Sequence, residues 1–171
     1  MMLLVFETMN DIQLKQLMKL YEDGNRINVP LAFPDCTDAE EGLRKIEEGF
    51  TQWLRDDFFP KEENTYYVLE EEGQWVSAFR LTKIDDFYFL EALHTPVALR
   101  RRGYAKKLMN EVIQYLKQRG PVILRDNVRK DNEASLAVHR QCGFTIEQED
   151  GIDYLDGQVY PKCYGLIYKE K

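Results

Sequence analysis

The stretch that most restricts the fold runs from Asp85 to Val128. "DDFYFLEALHT" has strand character. "LRRRGYAKKLMNEVIQYL", starting at Leu99, then leads three arginines and a glycine straight into a helical repeat. Ala105, Leu108, Met109, Val112 and Leu116 share one face of that helix. "GPVILRDNV" follows as a second apolar strand, entered after Gly120-Pro121. A helix with one apolar stripe between two strands must bury that stripe against a sheet, so the chain is a layered domain of helices on a sheet.

The flanking segments extend the same plan. "MLLVFE" reads as a first strand, and "NDIQLKQLMKLYEDGN" as a helix capped at Asn10. Leu14, Leu17, Met18 and Tyr21 line one face of it, and Gly24 ends the pattern. "RINVPLAFPDC" carries two prolines and is expected to be a loop. A second helix has the stripe Leu43, Ile46, Phe50, Trp53 and Leu54 and ends near Phe59-Pro60. "NTYYVLEEEGQWVSAFRLTKI" is a hairpin turning at Glu72-Gly73. "DNEASLAVHRQCGF" is a helix closed by Gly143. The last strands occupy "FTIEQED" and roughly "QVYPKCYGLIYKE", with turn signals at Asp150-Gly151 and Asp156-Gly157. The order β-α-α-β-β-β-α-β-α-β-β defines one α/β or α+β domain over residues 1–171.

Composition excludes several function classes. The formal net charge of −7 argues against general nucleic-acid binding, which calls for a basic domain. The three cysteines, Cys36, Cys142 and Cys163, are far apart and lack metal-ligand spacing, so no metal site or disulfide framework is expected. They suit a reducing compartment. No stretch approaches the roughly 20 apolar residues that span a bilayer. The N-terminal apolar run is too short for a secretory signal. The expected location is cytoplasmic, with no membrane partner.

The arginine turn carries the chemistry. A helix N-terminus presents unpaired N–H groups and the positive end of the dipole, which suits an anion. Gly103 and Ala105 allow close approach, and Arg100, Arg101, Arg102, Lys106 and Lys107 add charge. On these residues alone, a phosphate cradle and a plain helix start with solvated arginines both stand.

Arg100-Arg101-Arg102-Gly103-Tyr104-Ala105 matches the pattern (Gln/Arg)-x-x-Gly-x-(Gly/Ala), and "NEASLAVHRQCGF" resembles Asn-x-x-(Ala/Ser)-x-x-x-Tyr-x-x-x-Gly-Phe, with Asn132, Gly143 and Phe144 in register. Together they resemble the two signatures of the GNAT superfamily of acyltransferases. The likeness is strongest over 87–144 and extends in outline from about 64 to 169. It implies a mixed, mostly antiparallel central sheet with helices on both faces, and acetyl-CoA as cosubstrate. By this resemblance, pantetheine lies between two splayed strands, around Leu93 and Ile123, against the main chain of Leu93, His94 and Thr95. The turn of Arg100, Arg101, Arg102, Gly103, Tyr104, Ala105 and Lys106 holds the pyrophosphate. Asn132 and Ser135 contact the cofactor from the next helix. The family often has an apolar residue where Thr95 stands and a proline one place after Pro96, so the strand end or bulge here is displaced by a residue.

The family's general acid is the Tyr of the second signature, and His139 stands in its place. An imidazole can donate a proton near neutrality or steady a thiolate through an N–H bond. Glu91 lies near the position where many members carry a catalytic Glu or His. It is the candidate base or amine anchor, because an amine must be neutral to attack. Strand alternation puts Glu91, Leu93 and Thr95 on one face and His94 on the other.

The resulting expectation is an N-acetyltransferase that passes the acetyl group directly, in a ternary complex, to a primary amine of a small molecule or peptide. The alternative is a non-catalytic acyl-CoA-binding sensor or regulatory module of the same fold, supported by the missing Tyr. A nucleic-acid-binding module using Arg100–Lys107 is the third reading, opposed by the acidic chain. The acceptor pocket is expected from Asn25 to Asp38 and Asp150 to Tyr160, with Phe33, Tyr154, Tyr160, Asp35, Asp38, Asp153 and Asp156. A homodimer is left open.

Overall fold

The computed structural model describes residues 1–170. Its elements run β1 (Met2–Phe6), α1 (Leu14–Ala32), α2 (Ala39–Trp53), β2 (Asn64–Glu71), β3 (Gln74–Ile84), β4 (Phe87–His94), α3 (Tyr104–Lys117), β5 (Ile123–Arg129), α4 (Glu133–Gln141), β6 (Thr145–Gln148), β7 (Gly151–Ile152), β8 (Val159–Tyr160) and β9 (Cys163–Lys169). A seven-stranded sheet has the order β1-β2-β3-β4-β5-β9-β6, and β7 and β8 form a separate pair. Every neighbouring pair in the large sheet is antiparallel except β4 with β5, which is parallel.

Two cores sandwich the sheet. On one face Tyr67, Phe79, Leu81, Leu90 and Leu124 pack under α3 through Leu108, Met109, Val112, Ile113 and Leu116. The helix stripe read from the sequence is therefore the buried one, with Ala105 half-buried at its edge. On the other face Tyr66, Val68, Trp75 and Ala78 meet Leu17, Leu20 and Tyr21 of α1, and Leu54 and Phe58 beyond α2. Leu54–Phe58 forms a π-turn that continues α2.

Helix α1 departs from the expected boundaries at both ends. It starts after Gln13, with no side-chain cap, so Asn10 does not cap it. It then runs through Gly24 and carries Pro30 in its last turn, where a loop was expected. An interior glycine costs a helix about 1 kcal/mol, and tertiary packing offsets it. Tyr21 is buried against the sheet, and Val29 is buried against α2 at Gly42. The end of the chain also holds more than the two expected strands: the small β7–β8 pair lies between β6 and β9.

Candidate active site

The parallel register between β4 and β5 ends at Leu90↔Asp126. Both strands continue beyond it, β4 to His94 and β5 to Arg129, without pairing to each other. β4 stays paired to β3 as far as His94, and β5 to β9 as far as Arg129. The two central strands therefore splay, and the β5-facing edge of Glu91 to His94 has no strand partner among the described residues.

At the end of this opening lies the arginine turn. Arg101 and Gly103 both take left-handed backbone conformations, with φ of 64° and 81°. Glycine tolerates this at no steric cost, which is why it stands at the helix N-cap position. The first helical hydrogen bond is Lys107 N–H to Gly103 O. From Arg101 to Lys106 the backbone N–H groups have no intramolecular acceptor among the described residues. Arg101, Arg102 and Lys106 are exposed and lie within 4.0 Å of no carboxylate among the described residues. Arg100 donates from Nε to the Thr95 carbonyl at 3.0 Å, which ties the turn to the end of β4. Tyr104 contributes only its N–H here, because its ring is buried and its hydroxyl donates to Glu71.

Three other predicted contacts are already engaged within the protein. The His94 carbonyl accepts from Ser77 Oγ at 3.0 Å, and Thr95 Oγ1 lies 3.0 Å from the same hydroxyl. Asn132 Oδ1 caps α4 by accepting from Ser135 N–H at 3.1 Å.

His139 does not project into the opening as an exposed acid. Its side chain is 1% exposed. Nε2 lies 2.7 Å from Asp126 Oδ2 and Nδ1 lies 2.8 Å from the Ser135 carbonyl. Both partners are acceptors, so the ring is held with a proton on each nitrogen or with one proton shared onto Asp126. Burial opposes its charge, but the Asp126 carboxylate and the Ser135 carbonyl outweigh that and raise its pKa above the ordinary histidine value. Burial likewise pushes the Asp126 carboxyl up. The expectation of a direct general acid at His139 is corrected accordingly: an imidazole is shorter than a tyrosine and satisfies itself within α4 and β5. Asp126 is the residue of β5 at the last pair before the splay, so the dyad braces the apex of the opening.

A second correction concerns β4. Pairing with β3 passes from Arg80↔Glu91 to Ala78↔His94, so β4 carries an extra residue there. Ala92 supplies the bulge, with φ of 57°. Its carbonyl accepts from Tyr21 O–H at 2.7 Å, and Tyr21 in turn accepts from Tyr66 O–H at 2.9 Å. The bulge resets the alternation. Leu93 packs into the α3 core, while Glu91 and His94 both face α1 and α2. The sequence reading had placed His94 opposite Glu91.

Glu91 pairs with Arg80 through contacts of 3.4 and 3.5 Å, and the Arg80 guanidinium lies 4.6 Å from the Trp53 ring centroid. Glu91, Trp53, Asp57, Phe58, Asp85 and Tyr154 line a cavity of about 420 Å³ on this face. Of the expected acceptor-pocket residues, Tyr154 is in this wall, with its ring 5.4 Å from Phe89. The others, Asp35 apart, serve local structure. Phe33 ends α1, and Asp38 caps α2. Asp153 and Asp156 accept N–H bonds within the β7–β8 turn, and Tyr160 bonds Asp153 and Gln158. Asp35 makes no side-chain hydrogen bond or ion pair among the described residues. Cys142 is buried, its thiol pushed up to about 11 by burial, so it is no nucleophile. Among the described residues no cluster of metal-ligating side chains occurs, and no helix is long and apolar enough to cross a membrane.

The family model for the acetyltransferase (GNAT) family matches residues 29–144. The chain belongs to this family. No curated protein sequence matches it. Among solved structures, the PaiA N-acetyltransferase of Thermoplasma acidophilum in complex with coenzyme A is similar at 15% identity and a TM-score of 0.66, covering 99% of this chain and 100% of that one. The ribosomal-protein-S18-alanine N-acetyltransferase of Escherichia coli is similar at 17% identity and a TM-score of 0.63, covering 98% and 94%. Aminoglycoside 6'-acetyltransferase type Ii follows at 14% identity and a TM-score of 0.62, covering 99% and 97%. At these identities the structures establish that the fold is that of the GNAT acetyltransferases.

Proposed function

We propose that the protein is an N-acetyltransferase that binds acetyl-CoA along the splay of β4 and β5 and acetylates a primary amine held on the α1 face of β4, where Glu91 and His94 lie. One observation carries this reading. An opened strand pair runs directly into a turn whose N–H groups from Arg101 to Lys106 lack acceptors among the described residues, with Arg101, Arg102 and Lys106 in no ion pair with them. That arrangement fits a pyrophosphate with an extended arm, because the anion meets N–H groups and the positive helix end together. The free edge of β4 suits the amides of the arm. Acetyl-CoA supplies the thioester that the amine attacks. Glu91, on the α1 face with Arg80 and Trp53, anchors the amine, and Tyr154 lines the cavity beside it. The Asp126–His139 dyad positions β5 at the apex.

Calorimetric titration with acetyl-CoA and its 3′-dephospho form tests the binding half. The catalytic half is tested by release of free CoA thiol with phenethylamine, spermidine, kanamycin and a peptide with N-terminal alanine. Micromolar binding with turnover of one of these amines is expected. No binding by the folded protein refutes the reading, and binding without turnover of any amine turns it into a sensor of acyl-CoA.

A further inference from the structure

We propose that Asp23 and His94 form the proton-accepting dyad of this site, with His94 Nδ1 taking the proton from the acceptor ammonium. The proposal rests on the acetyltransferase reading and adds a base that the sequence placed on the wrong face. The bulge at Ala92 turns His94 toward α1, on the stretch of β4 that lies beyond the last pair with β5. Asp23, from the middle of α1, meets it there: Oδ1 lies 2.6 Å from His94 Nε2. The same carboxylate accepts from Gly24 N–H at 2.7 Å and from Val97 N–H at 2.6 Å. Burial favours its neutral form. The Val97 N–H, His94 and the Gly24 N–H outweigh this and hold the carboxyl below the ordinary range. An ionised Asp23 can only accept, so His94 carries its proton on Nε2 and leaves a lone pair on Nδ1.

That lone pair is available. Nδ1 has no hydrogen-bond partner among the described residues, and with the side chain 15% exposed it reaches solvent. Gly24 keeps the approach clear, since a Cβ there would lie 3.3 Å from His94 Cε1 and 3.7 Å from Nδ1. The Tyr21 ring stacks on the imidazole at 5.1 Å, and its hydroxyl is committed to Ala92. The charged groups that face His94 are Asp23 from α1 and Arg100 from the phosphate turn. Burial lowers its pKa, aided by Arg100 and opposed by Asp23, so the ring is in its basic form at neutral pH. Glu91 shares the face but is bound to Arg80, whereas His94 offers a free acceptor.

The protons balance. His94 Nδ1 takes one from the ammonium and returns it to water. The neutral amine forms the C–N bond as the C–S bond breaks, and the proton the nitrogen then sheds converts the departing thiolate to CoA thiol.

The test uses the full chain and the amine of the panel that the wild type turns over fastest. His94→Gln should lower kcat at pH 7 by about 10²-fold or more, the scale of a lost general base, and leave acetyl-CoA affinity within about 2-fold. The deficit should shrink about tenfold per pH unit as pH rises toward the amine's own pKa, because free amine then replaces the base. Asp23→Asn should lower kcat and move the acid limb of the pH profile. A staple between α1 and β4 would leave that limb in place. The chain has two histidines, so ¹⁵N NMR resolves each ring. A wild-type His94 found as the Nδ1–H tautomer, or with a pKa above the ordinary value, overturns the proposal even if the glutamine variant fails to fold. A folded His94→Gln variant with wild-type kcat and an unchanged acid limb overturns it too. A wild type that acetylates no amine fails the acetyltransferase reading itself, and the dyad's role with it.

Discussion

Replacing His139 with alanine should destabilise the fold by about 3–5 kcal/mol, the cost of stranding one member of a buried pair. The structure accounts for this figure piece by piece. The bond to Asp126 at 2.7 Å involves a carboxylate and contributes about 1.5–3 kcal/mol. The bond to the Ser135 carbonyl at 2.8 Å adds about 1 kcal/mol. The edge-on contact with Phe144, ring centroids 4.9 Å apart, adds about 0.5–1.5 kcal/mol. The pH dependence follows from the raised pKa of His139. Unfolded, the ring titrates near 6.5. Folded, it holds its proton to higher pH. Its extra stability is fully present below about 6.5 and is lost as pH rises through the folded value, at up to about 1.4 kcal/mol per pH unit. Urea unfolding of the wild type at steps from pH 5.5 to 9 should therefore show stability falling above about pH 6.5, the direction that the raised Asp126 carboxyl also gives. The double variant Asp126→Leu/His139→Phe should cost less than the sum of its single changes, because no partner is left stranded. A His139→Ala cost under about 1 kcal/mol at pH 6, or a wild type whose stability rises from pH 6.5 to 9, would refute the dyad as described.

Three further outcomes test the site. Gly103→Val places a β-branched residue at φ of 81°, where the left-handed conformation costs about 1–2 kcal/mol; urea unfolding should show that modest loss, and calorimetry at least a tenfold weaker binding of acetyl-CoA. Glu91→Gln removes the amine anchor and leaves Arg80 without its carboxylate; turnover should fall at least tenfold while acetyl-CoA affinity changes by less than about 2-fold, and the reverse pattern counts against the assignment. Tyr21→Phe deprives the Ala92 carbonyl and the Tyr66 hydroxyl of their shared partner, which should cost about 1–3 kcal/mol in urea unfolding and lower turnover as the bulge relaxes.

What could be read from the sequence was local. The stripe of α3, the hairpin at Glu72-Gly73 and the glycine turn are set by neighbours a few residues apart, and all stand as read. The continuation of α1 past Gly24 and Pro30 was not legible, because Val29 seated at Gly42 of α2 decides it. The two histidines were noticed, but their partners were not. Asp23 lies 71 residues from His94 and Asp126 lies 13 from His139, and in each case the packing of a helix on the sheet brings them together. The face of His94 was misread for a sharper reason. Counting alternate residues along "LEALHT" assumes that every residue is extended, and one residue at φ of 57° reverses every assignment beyond it. A glycine or asparagine would have announced such a position, since these tolerate positive φ. Alanine does not announce it, and here the bulge is imposed from outside by the Tyr66–Tyr21–Ala92 hydrogen-bond chain. Tyr21 was read as part of a core stripe, which it is. The hydroxyl of that buried ring also needed an acceptor, and that need is a second signal, beside the departures at Thr95 and Pro96, of a distorted strand beneath α1.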